Sequence, residues 1–180
     1  IEGGLTAFPD FGQVRYTLRE LELSSNLIST IDHELLLNFH ALKVLGLKDN
    51  LLTEFPDVSP SMNTLVELHL KGNKISKISQ GILDQLKALR ILNLDRNHIT
   101  SLPDFAGPAS TLESLTLNEN PITDLSNGAV KSLDGIDHIS LRNTQIDVFP
   151  VVHYEVITTI DITGSPLDVC YCSNMWLKTA

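Results

Sequence analysis

The sequence predicts an α/β solenoid, a curved horseshoe with a parallel β-sheet along its concave side. Three observations lead there. The pattern L-x-x-L-x-L-x-x-N, with isoleucine sometimes replacing leucine, recurs in register in seven copies. The copies end at positions 26, 50, 73, 97, 120, 144 and 165, so repeats of 24 and 23 residues alternate before a last step of 21. Pro9, Pro56, Pro103 and Pro150 are separated by 47 residues each time, the first three within Phe8-Pro9-Asp10, Phe55-Pro56-Asp57 and Leu102-Pro103-Asp104. The fourth stands in Phe149-Pro150-Val151. A period of two repeats means that two kinds of return path share one kind of strand.

In the first copy Leu18, Leu21 and Leu23 precede Asn26. The L-x-L alternation makes a strand whose leucines point inward and whose intervening residues point outward. The segment 27–42, LISTIDHELLLNFHAL, then carries apolar residues at helical spacing and predicts a short helix or 3₁₀ turn. Leu42, Leu45 and Leu47 form the second strand, ending at Asn50; its return path contains FPDVSPSM, whose prolines oppose a helix and predict an extended path. Leu65, Leu68 and Leu70 lead to Asn73 and to a second helical segment, KISKISQGILDQLKAL. Leu89, Leu92 and Leu94 lead to Asn97 and the proline type again, and Leu112, Leu115 and Leu117 lead to Asn120. Two degenerate copies follow, Ile136, Ile139 and Leu141 before Thr144, then Ile157, Ile160 and Ile162 before Ser165.

One repeat cannot bury its leucines alone, so neighbours stack and their strands pair at about 4.8 Å per repeat. Right-handed crossovers are expected. An asparagine ends each of the first five strands because its amide both donates and accepts, and so satisfies backbone groups freed at the turn. Asn26, Asn50, Asn73, Asn97 and Asn120 form this ladder, and Thr144 and Ser165 offer it less capacity.

Composition narrows the function. The chain of 180 residues is 42% hydrophobic but 6% aromatic, so the core is aliphatic. A formal net charge of −9 opposes general binding of nucleic acid or anionic membrane, which needs a basic face. No apolar run approaches the roughly 18 residues of a spanning helix, so direct membrane insertion is not expected. No signal peptide is visible: the chain opens IEGGLT with repeat-like sequence and is expected to start inside a larger precursor. Cys170 and Cys172 are too close for an unstrained mutual bridge. Pairing with later cysteines would imply an oxidising compartment, and two reduced thiols would fit a cytosolic home. No N-x-S/T sequon occurs, which weighs mildly against a glycosylated ectodomain.

The repeats resemble the leucine-rich-repeat superfamily over residues 4 to 167. That resemblance implies a solenoid domain over 1–167 and a role in protein recognition. The tail SPLDVCYCSNMWL resembles the opening of the cysteine-rich C-terminal cap of extracellular members, so residues 168–180 are assigned to the start of a cap. In such caps a C-x-C pair bonds two later cysteines and a tryptophan covers the last coil, which implies those roles for Cys170, Cys172 and Trp176. The F-P-D phrases are similar to repeats of leucine-rich G-protein-coupled receptors. The mixture of repeat lengths resembles the small leucine-rich proteoglycans.

Three columns of outward residues cross the expected sheet. The first holds Glu20, Val44, Glu67, Ile91, Ser114, His138 and Thr159; the second Glu22, Gly46, His69, Asn93, Thr116, Ser140 and Asp161. The third holds Ser24, Lys48, Lys71, Asp95, Asn118, Arg142 and Thr163. Val44 and Ile91 are apolar where the repeat does not require it, and Gly46 leaves a dip beside His69. With Lys48, Lys71 and Asp95 around them they are candidate ligand contacts, an apolar anchor with a polar rim, against the alternative of a solvated face. Gln80, Asp84 and Lys87 fall on a return path and are expected to tolerate alanine. The six histidines do not cluster, and no nucleophile elbow, phosphate loop or metal-ligand spacing accompanies the polar face, so no cofactor or catalytic group is expected. The expectation is a non-enzymatic, extracellular or cell-surface domain that binds a protein ligand on its concave sheet. A self-associating matrix protein and an intracellular scaffold are the alternatives.

Overall fold

Leucines alternating along each copy produce seven three-residue strands among the described residues. They are β1 (Glu20–Glu22), β2 (Val44–Gly46), β3 (Glu67–His69), β4 (Ile91–Asn93), β5 (Ser114–Thr116), β6 (His138–Ser140) and β7 (Thr159–Asp161). The computed structural model describes residues 3–61, 63–79, 81–103, 111–125, 129, 136–148 and 159–167, with 83 and 84 described by backbone only. The strands pair in chain order, all parallel, so each repeat adds one strand beside the last. Register is kept throughout: Glu20 pairs with Val44, Val44 with Glu67, Glu67 with Ile91, Ile91 with Ser114, Ser114 with His138 and His138 with Thr159. Helical turns need wider spacing than paired strands, so the return paths splay and the sheet takes the concave side.

The inward residues form one continuous aliphatic core. Leu23, Leu45, Leu47, Leu68, Leu70, Leu92, Leu94, Leu117 and Leu141 are all fully buried. Phe8, Phe11 and Phe39 close the core near β1 as an edge-to-face trio, with ring centroids 5.9 to 6.1 Å apart. At the other end Ile160, Ile162 and Leu167 are only partly buried against it.

Both helical segments of the longer repeats form single turns, α1 (His33–Leu36) and α2 (Ile82–Gln85). Asp32 caps α1 by accepting the Glu34 N–H at 3.0 Å. The expectation of an extended path is corrected after Pro9 and Pro56. Gly12–Tyr16 and Ser59–Ser61 are 3₁₀ turns that follow Pro9-Asp10 and Pro56-Asp57. Proline forbids a helix interior but not a turn that begins just beyond it. The aspartate supplies the missing acceptor: Asp10 Oδ1 takes the Gly12 N–H at 2.9 Å and Asp57 Oδ1 the Ser59 N–H at 3.0 Å. Asp104 and the segment Phe149-Pro150-Val151 lie outside the described residues.

Three residues past each strand the chain turns inward, and a left-handed residue does this in every copy. Ser25 (φ 58°), Asp49 (52°), Gly72 (71°), Arg96 (52°), Glu119 (56°), Asn143 (53°) and Gly164 (80°) stand immediately before the ladder position. Two of the seven are glycines, so five copies carry a side chain in a conformation that disfavours one.

Candidate binding face

The ladder asparagines anchor the face from beneath. Asn97, 3% exposed, donates from Nδ2 to the carbonyls of Leu94 and Leu70, each at 3.0 Å, and accepts the Ile75 N–H at 3.0 Å. One amide thus ties its own strand end to the preceding repeat. Asn50, Asn73 and Asn120 repeat the arrangement, with Oδ1 accepting from Ile28, Leu52 and Ile99. Asn26 accepts the Leu5 N–H at 3.1 Å. Thr144 and Ser165 replace the amide by a hydroxyl pair 2.8 Å apart, each also bonded to the Leu141 carbonyl.

On the outer surface the register brings Val44, Glu67 and Ile91 side by side on β2, β3 and β4, all half-buried. Glu67 separates the two apolar residues, but its carboxylate turns aside. His69 Nε2 donates to Glu67 Oε2 at 3.1 Å, leaving His69 Nδ1 buried and without a hydrogen-bond partner among the described residues. Thr116 Oγ1, two strands along the same column, is buried and unpartnered in the same way. The expected dip at Gly46 is filled, because the Glu22 carboxylate lies where a side chain on Gly46 would project. Glu22 reaches that place by accepting from the Ser24 hydroxyl and the Ser24 N–H.

The third column divides into two kinds of residue. Ser24, Asp95 and Asn118 work inside the fold, each accepting the backbone N–H one repeat later, from Lys48 at 3.1 Å, Asn118 at 2.9 Å and Arg142 at 2.8 Å. Asp95 is 9% exposed, so its carboxylate serves strand stacking before any ligand. Lys48 and Lys71 are half-buried and, among the described residues, no carboxylate lies within 4.0 Å of either ammonium group. Two arginines on the neighbouring turns, in contrast, are paired. Arg142 approaches Asp161 at 3.6 Å, and Arg96 reaches Asp49 at 3.0 Å across the bare backbone of Gly72. Hydrogen bonds from the Thr163 hydroxyl and N–H, with Arg142 and His138 nearby, hold the Asp161 carboxyl below the usual carboxylate range against a smaller opposing effect of burial.

The family model "Leucine rich repeat" matches residues 16–75 and 63–110, more than half of the sequence. The chain belongs to the leucine-rich-repeat family. Among solved structures, a leucine-rich-repeat protein of Leptospira interrogans superposes with a TM-score of 0.75 at 23% sequence identity, over 98% of this chain and 50% of the other. The chain therefore spans about half the length of that protein, and the likeness is one of fold. No curated protein matches.

Within this leucine-rich-repeat fold the six residues singled out from the pattern do not act alike. Val44, His69 and Ile91 gather with Lys48 and Lys71 on β2 to β4 and the turns beyond, whereas Asp95 is bonded into the framework. Lys87 is exposed on the return path after α2, while Gln80 and the side chain of Asp84 lie outside the described residues. Cys170, Cys172 and Trp176, and with them the expected cap over 168–180, also lie outside. No helix among the described residues is long and apolar enough to cross a membrane, and no three His, Cys, Asp or Glu side chains among them converge on a metal site. Sequence reasoning missed the left-handed column and the Glu22 bridge. The first had a faint signal in the glycines of KGN and TGS, at Gly72 and Gly164.

Proposed function

We propose that this is a recognition domain that binds a protein ligand on the concave face, centred on β2 to β4, in an extracellular or cell-surface protein. One observation carries the reading. Two apolar side chains not required by the fold, Val44 and Ile91, flank β3 on an open, rigid sheet with two uncompensated lysines beside them. A framework pinned by buried asparagines binds with little ordering cost, and apolar anchors ringed by polar groups are how protein interfaces concentrate affinity. The leucine-rich-repeat fold supports protein binding over catalysis. The extracellular assignment rests on the C-x-C tail of Cys170 and Cys172.

Affinity measurements on alanine variants test the face. Ile91→Ala and His69→Ala are each expected to weaken binding of the isolated partner by more than about 1 kcal/mol. Lys77→Ala, on the exposed return path, is expected to change nothing. Losses confined to the return path would assign binding to the convex side. Peptide mapping without reduction tests the compartment, with Cys170 and Cys172 each expected in a disulfide to a different cysteine. Two free thiols would favour an intracellular scaffold.

A further inference from the structure

The third column has a gap in its hydrogen bonding. Six of its seven backbone N–H groups have a side-chain acceptor. Ser24 donates to Glu22 at 3.2 Å, Asp95 to Asn93 at 3.1 Å and Thr163 to Asp161 at 3.0 Å, each two residues back. Lys48, Asn118 and Arg142 donate to Ser24, Asp95 and Asn118, each one repeat back. Lys71 is the exception, with no acceptor for its N–H among the described residues. The sequence explains why. The residue one repeat back is Lys48, whose side chain has no acceptor atom, and the residue two back is His69, whose ring reaches Glu67 through Nε2 and whose other nitrogen, Nδ1, takes no hydrogen bond. The same substitution that removes the acceptor adds a cation, and Lys71 adds a second about 4.8 Å along the sheet.

We propose that Lys48, Lys71 and the Lys71 backbone N–H together form a receptor for a single carboxylate of the protein partner. This deepens the reading of the sheet as a binding face and rests on it. Two ammonium groups and one peptide N–H match the lone pairs of one carboxylate, and charge-assisted bonds of this kind are the strong ones. The surroundings limit the charge accepted. Glu22, lying over Gly46, the Glu67 carboxylate on His69 and Asp95 in the next repeat border the lysines, so a polyanion would meet repulsion where one carboxylate would not.

The test is an amide-resolved NMR titration of the whole chain with short peptides. Acetyl-Gly-Glu-Gly-amide presents a side-chain carboxylate, acetyl-Gly-Gly-Gly with a free end presents a terminal one, and acetyl-Gly-Gln-Gly-amide presents neither. The Lys71 amide is expected to shift with one or both carboxylate peptides and not with the glutamine peptide, and whichever works names the source. Lys71→Gln, which keeps the N–H, and Lys48→Gln are each expected to weaken that response at least about threefold. Lys48→Ser restores the acceptor that Ser24 provides for Lys48, and so is expected to abolish the response while the other amides stay in place. Equal shifts with the glutamine peptide, an unchanged response in Lys71→Gln, or an equal response to inorganic phosphate would overturn the proposal. Lys77→Ala, on the exposed return path, leaves the peptide response intact, whereas loss of partner affinity in Ile91→Ala with no carboxylate response at the Lys71 amide would fail the carboxylate site and spare the face.

Discussion

Single residues carry unequal burdens in this repeat. Replacing Asn97 by leucine adds apolar surface, yet it strands the buried Ile75 N–H and leaves the Leu70 and Leu94 carbonyls with only their bonds from Asn73 and Asn120. Denaturant unfolding should show a loss of about 1–3 kcal/mol, the cost of one orphaned buried group. Asn63→Leu, on an exposed turn, should stay within about 0.5 kcal/mol. Asn143, beside the ladder position, makes a poor comparison because its φ of 53° penalises leucine independently. The glycines separate as cleanly. Gly72→Ala forces a side chain into a φ of 71° and against the Asp49 carboxylate that pairs with Arg96, and should cost about 1–2 kcal/mol. Gly46→Ala has an ordinary φ and need only displace the flexible end of Glu22, so its thermal midpoint should fall less.

Between strands, the phrase F-P-D is a turn device. Its phenylalanine enters the core, with Phe8 at 5% and Phe55 at 8% exposure, its proline ends the extended run, and its aspartate caps the 3₁₀ turn that follows. Partial burial works against the ionised Asp57, but hydrogen bonds from the Ser59 side chain and N–H, and His33 with Nδ1 at 2.9 Å, outweigh it and lower its pKa. A carboxyl whose folded pKa is depressed contributes stability above its unfolded value of about 4, and loses it as pH falls through the folded value. Asp161 follows the same rule through Thr163 and Arg142. Asp57→Asn and Asp161→Asn should therefore lower the midpoint at pH 7 and leave a smaller difference from the parent near pH 2. Thermal unfolding across that range checks the sign, and a difference that grows toward acid would refute it.

Over the whole molecule, stability is a sum along the stack. Each repeat touches its neighbours, so inner repeats are held from both sides and terminal ones from fewer. Leu92 in β4 is fully buried and flanked by Leu68 and Leu115, whereas Ile160 in β7 is only partly buried. Leu92→Ala should cost about 2–5 kcal/mol and Ile160→Ala distinctly less. Hydrogen exchange should show the same gradient, with the amides of β3 and β4 slowest and those of β7 faster. Uniform protection from β1 to β7 would instead indicate a single all-or-none unit.

Much of this molecule is local and therefore written in the chain. A strand of three residues, its inward leucines and the asparagine after it recur at fixed spacing, and stacking identical units leaves one register, so the strands, their order and all three outward columns follow from periodicity alone. The return paths were legible in part. Proline announced that the helix stops, but the 3₁₀ turn beyond it depends on an aspartate carboxylate folding back two residues, which spacing does not reveal. The functional face was the least legible. Whether Asp95 meets a ligand or a neighbouring N–H, whether Gly46 is a dip or a bed for Glu22, and which lysines lack a counter-ion depend on side chains contributed by adjacent repeats. Those choices are made across the sheet, between residues some 23 positions apart, where several partners of similar chemistry compete and packing selects among them.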